Sequence, residues 1–220
     1  MSIELLNIDC MEYMKGLDDN AFELAIVDTP YGIGESGKTN ASRGLLAVSK
    51  DYKPFHGEDL EAPNSLYFDE LKRVSKNQII WGANHFIDNF PFMCSSPCWV
   101  IWDKINGKTD FADCELAWTS FKTAVRQFRF QWQGMLQGDM KNKEHRIHPT
   151  QKPVQLYKWL LKNYAKEGDR ILDTHLGSGS SAIAAHYGGF DFVGCELDED
   201  YYKAACKRFD AETAQLGFDL

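Results

Sequence analysis

An acidic side chain, a rigid turn and an aromatic ring follow one another at the end of an apolar run early in the chain. The run Phe22–Val27 is typical of a buried strand, and the next four residues are Asp28, Thr29, Pro30 and Tyr31. Because proline lacks an amide hydrogen and fixes φ, the carbonyl group before it is free to accept a hydrogen bond from a ligand. A carboxylate, a free carbonyl and an aromatic face suit a planar ring that carries an amino group. The alternative is a capped turn with Tyr31 in the core.

A second acid, Asp173, ends the apolar run 170–172 and precedes a turn with almost no side-chain bulk. That turn holds Gly177 and Gly179, and glycine allows a positive φ and a close approach of a ligand to the backbone. The next apolar run, 192–195, ends in Glu196, where a carboxylate suits the paired hydroxyl groups of a ribose. These residues alone do not distinguish a nicotinamide dinucleotide from S-adenosylmethionine. A tight turn beside a solvated glutamate is the alternative.

The segment 148–153, with the sequence HPTQKP, concentrates residues with special backbone or charge properties. Pro153 suits the first turn of a helix, and Thr150 and Lys152 place a hydroxyl group and a cation beside that helix start. A helix start of this kind favours an anionic group such as a carboxylate. The alternative is an ordinary proline-bounded loop with a solvated lysine.

The elements that must position these residues alternate between strands and helices. Strand-like runs cover 3–8, 22–27, 78–81, 99–102, 115–119, 125–132, 170–173 and 192–195, and helical patterns cover 11–17, 66–75, 153–164, 199–214 and a stretch that begins at 181. This alternation predicts an α/β fold with a mostly parallel, doubly wound sheet and helices on both faces. Ligands bind such sheets at the carboxyl ends of the strands, near the point where the strand order reverses. We therefore expect Asp28 and Asp173 to meet in one crevice.

The composition limits the class of protein. A chain of 220 residues, 44% of them hydrophobic, suits one domain with a sizeable core. The net charge of -8 argues against tight nonspecific binding of polyanions, although it allows a local basic surface. The six cysteines lack the paired spacing of a zinc site, so we expect reduced thiols and no bound metal. Neither a signal-peptide pattern nor a membrane-spanning apolar run is apparent, which predicts a cytoplasmic protein.

Together, DTPY at 28–31, HPTQKP at 148–153 and DTHLGSGS at 173–180, followed by Glu196, resemble the motifs of DNA methyltransferases that modify exocyclic amino groups with S-adenosylmethionine. The catalytic motif precedes the cofactor motif, an order that resembles the beta group of these enzymes. The resemblance covers nearly the whole chain and implies one methyltransferase domain over 1–220, with a Rossmann-like sheet of seven strands. This chain departs from the family at two places: Thr29 replaces the first proline of the catalytic motif, and Thr174 and His175 replace Pro-Phe in the cofactor motif.

The resemblance also implies roles for individual residues. Asp28, the carbonyl group of Thr29 and Pro30 would position the target amine, while Tyr31 would stack on the base. Asp9 matches a position near the target base. The residues implied in cofactor binding are Asp173, Leu176, Gly177, Ser178, Gly179, Glu196, His148, Thr150 and Lys152.

Within that cofactor set, the resemblance implies different parts of the ligand for different residues. Asp173 would lie near the methionine end, and Glu196 would bind the ribose hydroxyl groups. Thr150 and Lys152 would hold the methionine carboxylate.

A local basic stretch is the candidate DNA contact. Between Lys122 and Lys152, seven basic side chains stand against two acidic ones, a net charge of +5. By resemblance the target-recognition segment is 125–147, and the loop 34–57 is a second candidate. The side chains expected to contact DNA are Lys38, Arg43, Arg126, Arg129, Lys141, Lys143 and Arg146. The alternative is a solvated face, because charge runs are often no more than that.

The resemblance thus implies methylation of the 6-amino group of adenine in double-stranded DNA, because an acid at the first position of the catalytic motif favours adenine in the family. Methylation of the 4-amino group of cytosine is the nearest alternative. A NAD-dependent oxidoreductase would use the glycine turn and Glu196 but would leave 28–31 and 148–153 unexplained. A catalytically weak DNA-binding protein is a third possibility, which Thr29 and His175 keep open. The short recognition segments are compatible with a homodimer, and the resemblance implies a bacterial or phage-encoded protein.

Overall fold

Apolar strands and amphipathic helices alternate along the chain. The computed structural model describes residues 1–33, 61–89, 95–107, 112–133 and 136–214. Within these ranges the strands are β1 (Ile3–Asn7), β2 (Phe22–Val27), β3 (Ser75–Trp81), β4 (Trp99–Asp103), β5 (Cys114–Thr119), β6 (Arg126–Arg129), β7 (Trp132–Gln133), β8 (Leu136–Gln137), β9 (Arg170–Asp173) and β10 (Asp191–Glu196). The α-helices are α1 (Cys10–Lys15), α2 (Ser65–Val74), α3 (Val154–Tyr164), α4 (Ser180–Gly188) and α5 (Glu199–Thr213).

Eight of these strands form one sheet in the order β1-β10-β9-β2-β3-β5-β4-β6, and β7 and β8 form a small antiparallel pair. Strand β5 runs antiparallel to both of its neighbours, and the other recorded pairings in the large sheet are parallel. The described sheet has one strand more than the expected seven, because Arg126–Arg129 adds to its edge beside β4. The expected strand 125–132 is therefore divided between β6 and β7.

The two-residue period of the strands distributes the core over both faces of the sheet. In β2, Leu24 and Ile26 pack in the layer formed with α3, α4 and α5, while Ala25 and Val27 pack in the layer formed with α1 and α2. Burial on both faces explains why β2 is apolar throughout. No helix among the described residues is long and apolar enough to cross a membrane.

The strand order reverses between β9 and β2. From β9 the chain passes through α4 to β10 on one side, and from β2 it passes through α2 to β3 on the other side. The two strands pair in parallel at Leu24 with Ile171 and at Ala25 with Leu172. Since neighbouring crossovers diverge at such a point, a crevice opens at the carboxyl ends of the two strands. The strand ends that carry Asp28 and Asp173 are neighbours, as expected.

A buried ion pair connects α5 to both the glycine turn and the segment before α3. Arg208 donates to the Ser178 carbonyl oxygen at 2.9 Å and to Glu144 Oε2 at 2.7 Å. Glu144 in turn accepts the amide hydrogen of Val154, the first residue of α3, through Oε1. A buried arginine shares its charge with a carboxylate in this way because an unpaired charge in the interior is costly. The pair therefore fixes the glycine turn relative to the start of α3.

Candidate active site

A cluster of ionisable side chains surrounds Asp28 at the end of β2. The Lys152 ammonium lies 2.5 Å from Asp28 Oδ1 and 3.0 Å from Glu115 Oε2. The Tyr31 hydroxyl donates to Asp28 Oδ1 at 2.9 Å and accepts from Lys152 at 3.1 Å. Lys104 forms an ion pair with the other carboxylate oxygen of Glu115. The charges of two carboxylates and two ammonium groups cancel within the cluster.

Glu115 is a site residue that sequence reasoning missed. It is the second residue of β5, and β5 runs antiparallel to the strands beside it, so its first residues lie at the carboxyl edge of the sheet. Its register partner is Trp102, near the end of β4, and Lys104 follows the last residue of that strand, Asp103. An acid in an otherwise apolar strand was the available signal, but the direction of the strand decides whether that acid reaches the site.

The pKa values in this cluster reflect a competition between burial and charge. Burial raises the pKa of Asp28 although the Lys152 ammonium counteracts it. Burial also opposes ionisation of Glu115, but two ammonium groups outweigh it and hold the pKa of Glu115 at about 2. Burial alone would lower the pKa of Lys152, yet Asp28 and Glu115 raise it. Lys152 and Glu115 therefore stay ionised as a pair at neutral pH, whereas the ionisation of the neighbouring Asp28 changes more easily.

The Tyr31 ring is held between the end of β3 and an exposed histidine. His85 stacks on it with a centroid separation of 5.2 Å and an interplanar angle of 15°. On the β3 side, a Cβ atom at Gly82 would lie 2.1 Å from the Tyr31 ring, and Gly82 has a φ of +70°. Only glycine fits both this contact and this backbone conformation. The Tyr31 ring, expected to stack on a base, stacks in the structure on the ring of His85.

Thr29 and Pro30 lie within the same turn as Asp28. Thr29 is buried, and its Oγ1 atom has no hydrogen-bond partner among the described residues. An unpaired buried hydroxyl group is uncommon, because it forgoes its hydrogen bond to water without a replacement. The turn therefore keeps an unused polar group close to Asp28.

A second group of residues lies across the crevice, at the ends of β9 and β10. Glu196 Oε2 accepts the amide hydrogen of Gly177 at 2.8 Å, and Glu196 Oε1 accepts that of Asp198 at 3.0 Å. Gly177 has a φ of +53°, which favours glycine. Burial raises the pKa of Glu196. A hydrogen bond thus connects the glycine turn directly to Glu196.

Asp173 is almost completely buried and has only neutral partners. It accepts hydrogen bonds from the Ser181 hydroxyl at 2.6 Å and from the His175 amide at 3.0 Å. Burial raises the pKa of Asp173 to about 7, and Asp28 also contributes to the rise. The carboxylate of Asp28 thus lies close enough to act on Asp173, in keeping with the parallel pairing of β2 and β9.

Thr174 and His175, which depart from the family motif, have their own partners in this chain. The Thr174 hydroxyl forms hydrogen bonds with the Tyr67 hydroxyl at 2.6 Å and with His175 Nδ1 at 2.9 Å. The rings of Tyr67 and His175 meet edge to face at 5.6 Å. Burial lowers the pKa of His175 to about 4, so the imidazole is neutral at physiological pH. His175 therefore supplies an uncharged aromatic ring where the family motif has phenylalanine.

Three residues of the expected cofactor set have side chains or backbones that face the core. Leu176 is buried, and its side chain occupies the space that a Cβ atom at Gly194 would need. Ser178 is buried and shares a hydrogen bond with Ser180. Gly179 has a φ of +74° and lies against Ala205 of α5. The backbone and the shape of the turn are therefore the only means by which these three residues could contribute to cofactor binding.

The segment 148–153 contacts both sides of the crevice, the glycine turn as well as the cluster around Asp28. The His148 ring lies 4.0 Å from the Cβ position of Gly177, and burial lowers the pKa of His148 to about 4. Thr150 is exposed, and its hydroxyl lies 3.1 Å from His148 Nδ1. Lys152 points to the other side, where it contacts Asp28 and Glu115. The resemblance implied that Lys152 holds the methionine carboxylate; in the structure, the carboxylates of Asp28 and Glu115 engage its ammonium group.

Asp9 does not lie beside Asp28. It is the N-cap of α1, where its carboxylate accepts the amide hydrogens of Met11 and Glu12. It follows β1, which pairs with β10, so Asp9 belongs to the Glu196 side of the crevice. The resemblance implied a position near the target base, whereas the strand order places β10 and β9 between β1 and β2.

The basic side chains of 125–147 have mixed environments. Arg126, Lys141 and Lys143 are exposed. Arg129 is also exposed but forms an ion pair with Asp103 at 2.9 Å, and the Arg146 guanidinium lies 4.6 Å from the centre of the Trp132 ring. The other expected DNA contacts, Lys38 and Arg43 in the loop 34–57, lie outside the described residues.

Comparisons with known proteins point to one kind of enzyme. A family model described as DNA methylase matches residues 22–207. The type II methyltransferase M2.DpnII of Streptococcus pneumoniae is 24% identical, over 94% of this chain and 90% of the relative.

Solved structures agree in the fold. The crystal structure of the M1.HpyAVI-SAM complex has a TM-score of 0.55 and 19% identity, and the match covers 94% of this chain and 99% of that chain. The PvuII DNA methyltransferase, described as cytosine-N4-specific, has a TM-score of 0.59 and 11% identity, and the match covers 97% of this chain and 91% of that chain. The α/β fold with a mostly parallel central sheet is thereby established.

The burial of Asp173 predicts a pH-dependent stability of the protein without ligand. Its folded pKa of about 7 exceeds the unfolded value, so the native state binds the Asp173 proton more tightly than the unfolded state does. The stability gained from this tighter proton binding is fully present only below about pH 4. It is lost as the pH rises through 7. Replacement by Asp173→Asn keeps the hydrogen-bonding shape but removes the charge, and should raise the free energy of unfolding at pH 8 by about 1–4 kcal/mol.

Urea denaturation of the wild type and of Asp173→Asn at about pH 4.5 and about pH 8, one value below and one above the folded pKa of about 7, measures this difference. We expect a clear stabilisation at the higher pH and little at the lower one. Equal stabilisation at both pH values would show that Asp173 is not a strained buried carboxylate.

Proposed function

The chain belongs to the DNA methylase family, and from this premise we propose that it transfers a methyl group from S-adenosylmethionine to the 6-amino group of adenine in DNA. One observation supports the proposal most directly. Asp28, with its charged cluster, and Asp173, with only neutral partners, lie at the ends of neighbouring strands and face one crevice. A crevice with two chemically different sides suits a reaction between two ligands.

The β9 side has the chemistry expected for S-adenosylmethionine. The Asp173 carboxylate is buried and the Glu196 carboxylate is half-buried, and the backbone amides and the Ser181 hydroxyl that donate hydrogen bonds to them are neutral. A ligand with a sulfonium and an ammonium group would supply the missing positive charge, and its ribose hydroxyl groups would suit Glu196. The pyrophosphate of a nicotinamide dinucleotide would instead add negative charge beside these carboxylates. We assign Asp173, Gly177, Glu196 and His148 to this ligand.

The β2 side has the chemistry expected for an aromatic amine. We assign Asp28 and the carbonyl oxygen of Thr29 as acceptors of the two amine hydrogens, with Pro30 shaping the turn. An exocyclic amine is a weak nucleophile, because its lone pair is delocalised into the ring. Two acceptors that draw its hydrogens out of the ring plane localise that pair on the nitrogen. Positioning and electrostatics then supply the catalysis.

The reaction needs no covalent intermediate with the protein. S-adenosylmethionine supplies an electrophilic methyl group when bound; the amine lone pair forms the new nitrogen–carbon bond, the electron pair of the broken bond stays on sulfur, and the nitrogen releases a proton. We assign Asp28 as the acceptor of that proton, a role that its raised pKa suits. Asp28 and Thr29 thus orient the amine first, and Asp28 accepts its proton afterwards.

The target base must leave the double helix to reach this crevice. Extrusion costs a few kcal/mol, and stacking on an aromatic side chain offsets about 1–3 kcal/mol of it. Tyr31 and the exposed His85 form an aromatic pair beside Asp28. We assign this pair as the stacking surface. Exposed Arg126, Lys141 and Lys143 are the described candidates for contact with phosphates.

The substrate also indicates where the protein acts. Cellular DNA is the substrate of the family, so we place the activity in the cytoplasm. The segment 125–147 is short for a complete recognition surface, which favours action as a homodimer. Sedimentation velocity with duplex DNA would measure this association.

The assignment of Asp28 predicts a selective loss of methyl transfer. Asp28→Ala removes one acceptor of the amine hydrogens and should lower the rate of transfer by at least about 100-fold. The affinity for S-adenosylmethionine should change by less than about threefold, because Asp28 lies on the other side of the crevice. Transfer of labelled methyl groups to unmethylated bacterial DNA, followed by nucleoside chromatography, measures both the rate and the modified base.

For the wild type, the label should elute with the deoxynucleoside of N6-methyladenine. Label in N4-methylcytosine would contradict the choice of adenine. Full activity of Asp28→Ala would contradict the assignment of the catalytic side.

The basic segment predicts a salt-dependent DNA affinity. If Lys141 and Lys143 contact phosphates, the slope of log affinity against log salt should become shallower by about 0.9 for each lysine removed. Fluorescence anisotropy with a labelled duplex measures the slope for the wild type and for Lys141→Ala/Lys143→Ala. Lys203→Ala in α5, where the lysine pairs with Glu199, is the matched control. Identical slopes for all three proteins would remove the two lysines from the DNA interface.

A further inference from the structure

Asp28 is held through only one of its two carboxylate oxygens. The Lys152 ammonium and the Tyr31 hydroxyl both contact Oδ1, at 2.5 Å and 2.9 Å. In the part of the chain that the structure describes, no donor contacts Oδ2. A carboxylate accepts hydrogen bonds on both oxygens, so Oδ2 is the atom that remains for an incoming donor.

Lys152 is fixed from its far side as well. Its ammonium group lies 3.0 Å from Glu115 Oε2, and Glu115 is fixed in turn by Lys104 through Oε1. The Lys152 side chain is only 3% exposed, so water competes little for its hydrogen bonds. The chain of contacts Lys104, Glu115, Lys152, Asp28 therefore fixes the rotation of the Asp28 carboxylate. It connects β4 and β5 to the end of β2.

We propose that Lys152 and Glu115 are positioning residues for methyl transfer, which together with Tyr31 hold Oδ1 of Asp28 and direct Oδ2 toward the target amine. This inference rests on the proposed function and deepens it. Lys152 acts through Asp28 and is not a ligand of the methionine carboxylate, the role that the sequence resemblance implied. Glu115 acts through Lys152.

The same contacts set the ionisation of Asp28. The titratable groups that act on Asp28, or that it acts on, are Tyr31, Glu115, Lys152, Tyr157 of α3 and Asp173 of β9. Burial raises the pKa of Asp28, Lys152 lowers it, and Glu115 raises it. Removal of Lys152 must therefore raise the pKa of Asp28, and removal of the Glu115 charge must lower it. These opposite signs distinguish a positioning role from a purely structural one.

The test compares Lys152→Met and Glu115→Gln with the wild type in three measurements. These are kcat at saturating ligands, the pH dependence of kcat, and the Kd for S-adenosylmethionine by calorimetry. For Lys152→Met we expect kcat to fall by about 100-fold, with the acidic limb of the profile at higher pH. For Glu115→Gln we expect that limb at lower pH. The Kd should change by less than about threefold in both variants.

Two further variants distinguish a change in the active site from a failure to fold. Lys152→Arg keeps the charge and should retain the wild-type position of the acidic limb more closely than Lys152→Met does. The double variant Lys152→Met/Glu115→Gln removes one charge of each sign and keeps the cluster neutral. Thermal denaturation reports whether each variant folds, and Lys203→Met is the surface control that should match the wild type throughout.

The contrary results are distinct. A Kd for S-adenosylmethionine raised by more than about tenfold in Lys152→Met, with kcat preserved, would make Lys152 a ligand of the methyl donor. Unmoved pH profiles in both single variants would leave Lys152 and Glu115 with a structural role alone. If the wild type transfers no methyl group to DNA, the proposed function fails. Carbon NMR titration of Asp28 in the same variants would then decide whether Lys152 and Glu115 control its carboxylate.

Discussion

The reversal of strand order between β9 and β2 is the constraint on which the rest of the structure depends. Because the crossovers from these two strands lead to opposite sides of the sheet, a crevice opens where their carboxyl ends meet. Helix α3 runs back along the sheet before β9 begins, so the segment that precedes it, 148–153, lies across this crevice. That geometry places His148 beside the glycine turn and Lys152 beside Asp28.

The two sides of the crevice differ in how their charge is balanced. On the β9 side, Asp173 is buried with neutral donors, and its raised pKa shows that its ionised form lacks compensation in the protein. On the β2 side, Asp28 and Glu115 are matched by Lys152 and Lys104. An uncompensated acid favours a cationic ligand, whereas a balanced cluster accepts a neutral one. A sulfonium donor and an uncharged nucleobase are such a pair of ligands, which connects the electrostatics to DNA methylation.

Sequence patterns predicted the parts of this site that depend on a single strand. The run Phe22–Val27 predicts β2 with its observed bounds, because burial on both faces leaves an uninterrupted apolar signal. Residues whose role depends on strand direction or order could not be predicted. Glu115 reaches the site only because β5 is antiparallel, and Asp9 lies on the other side only because β1 pairs with β10. The partnership of Thr174 with Tyr67, far apart in the chain, also needed the fold.

In the proposed function, one crevice holds the methyl donor with its reactive group directed at Asp28. A crystal structure with sinefungin, in which an amine replaces the transferable methyl group, tests this most directly and needs no knowledge of the DNA sequence recognised. We expect the ribose hydroxyl groups to bind Glu196 and the sinefungin amine to lie within about 4 Å of the Asp28 carboxylate. Sinefungin bound with that amine turned away from Asp28, or bound outside the ends of β9 and β2, would overturn the proposed site.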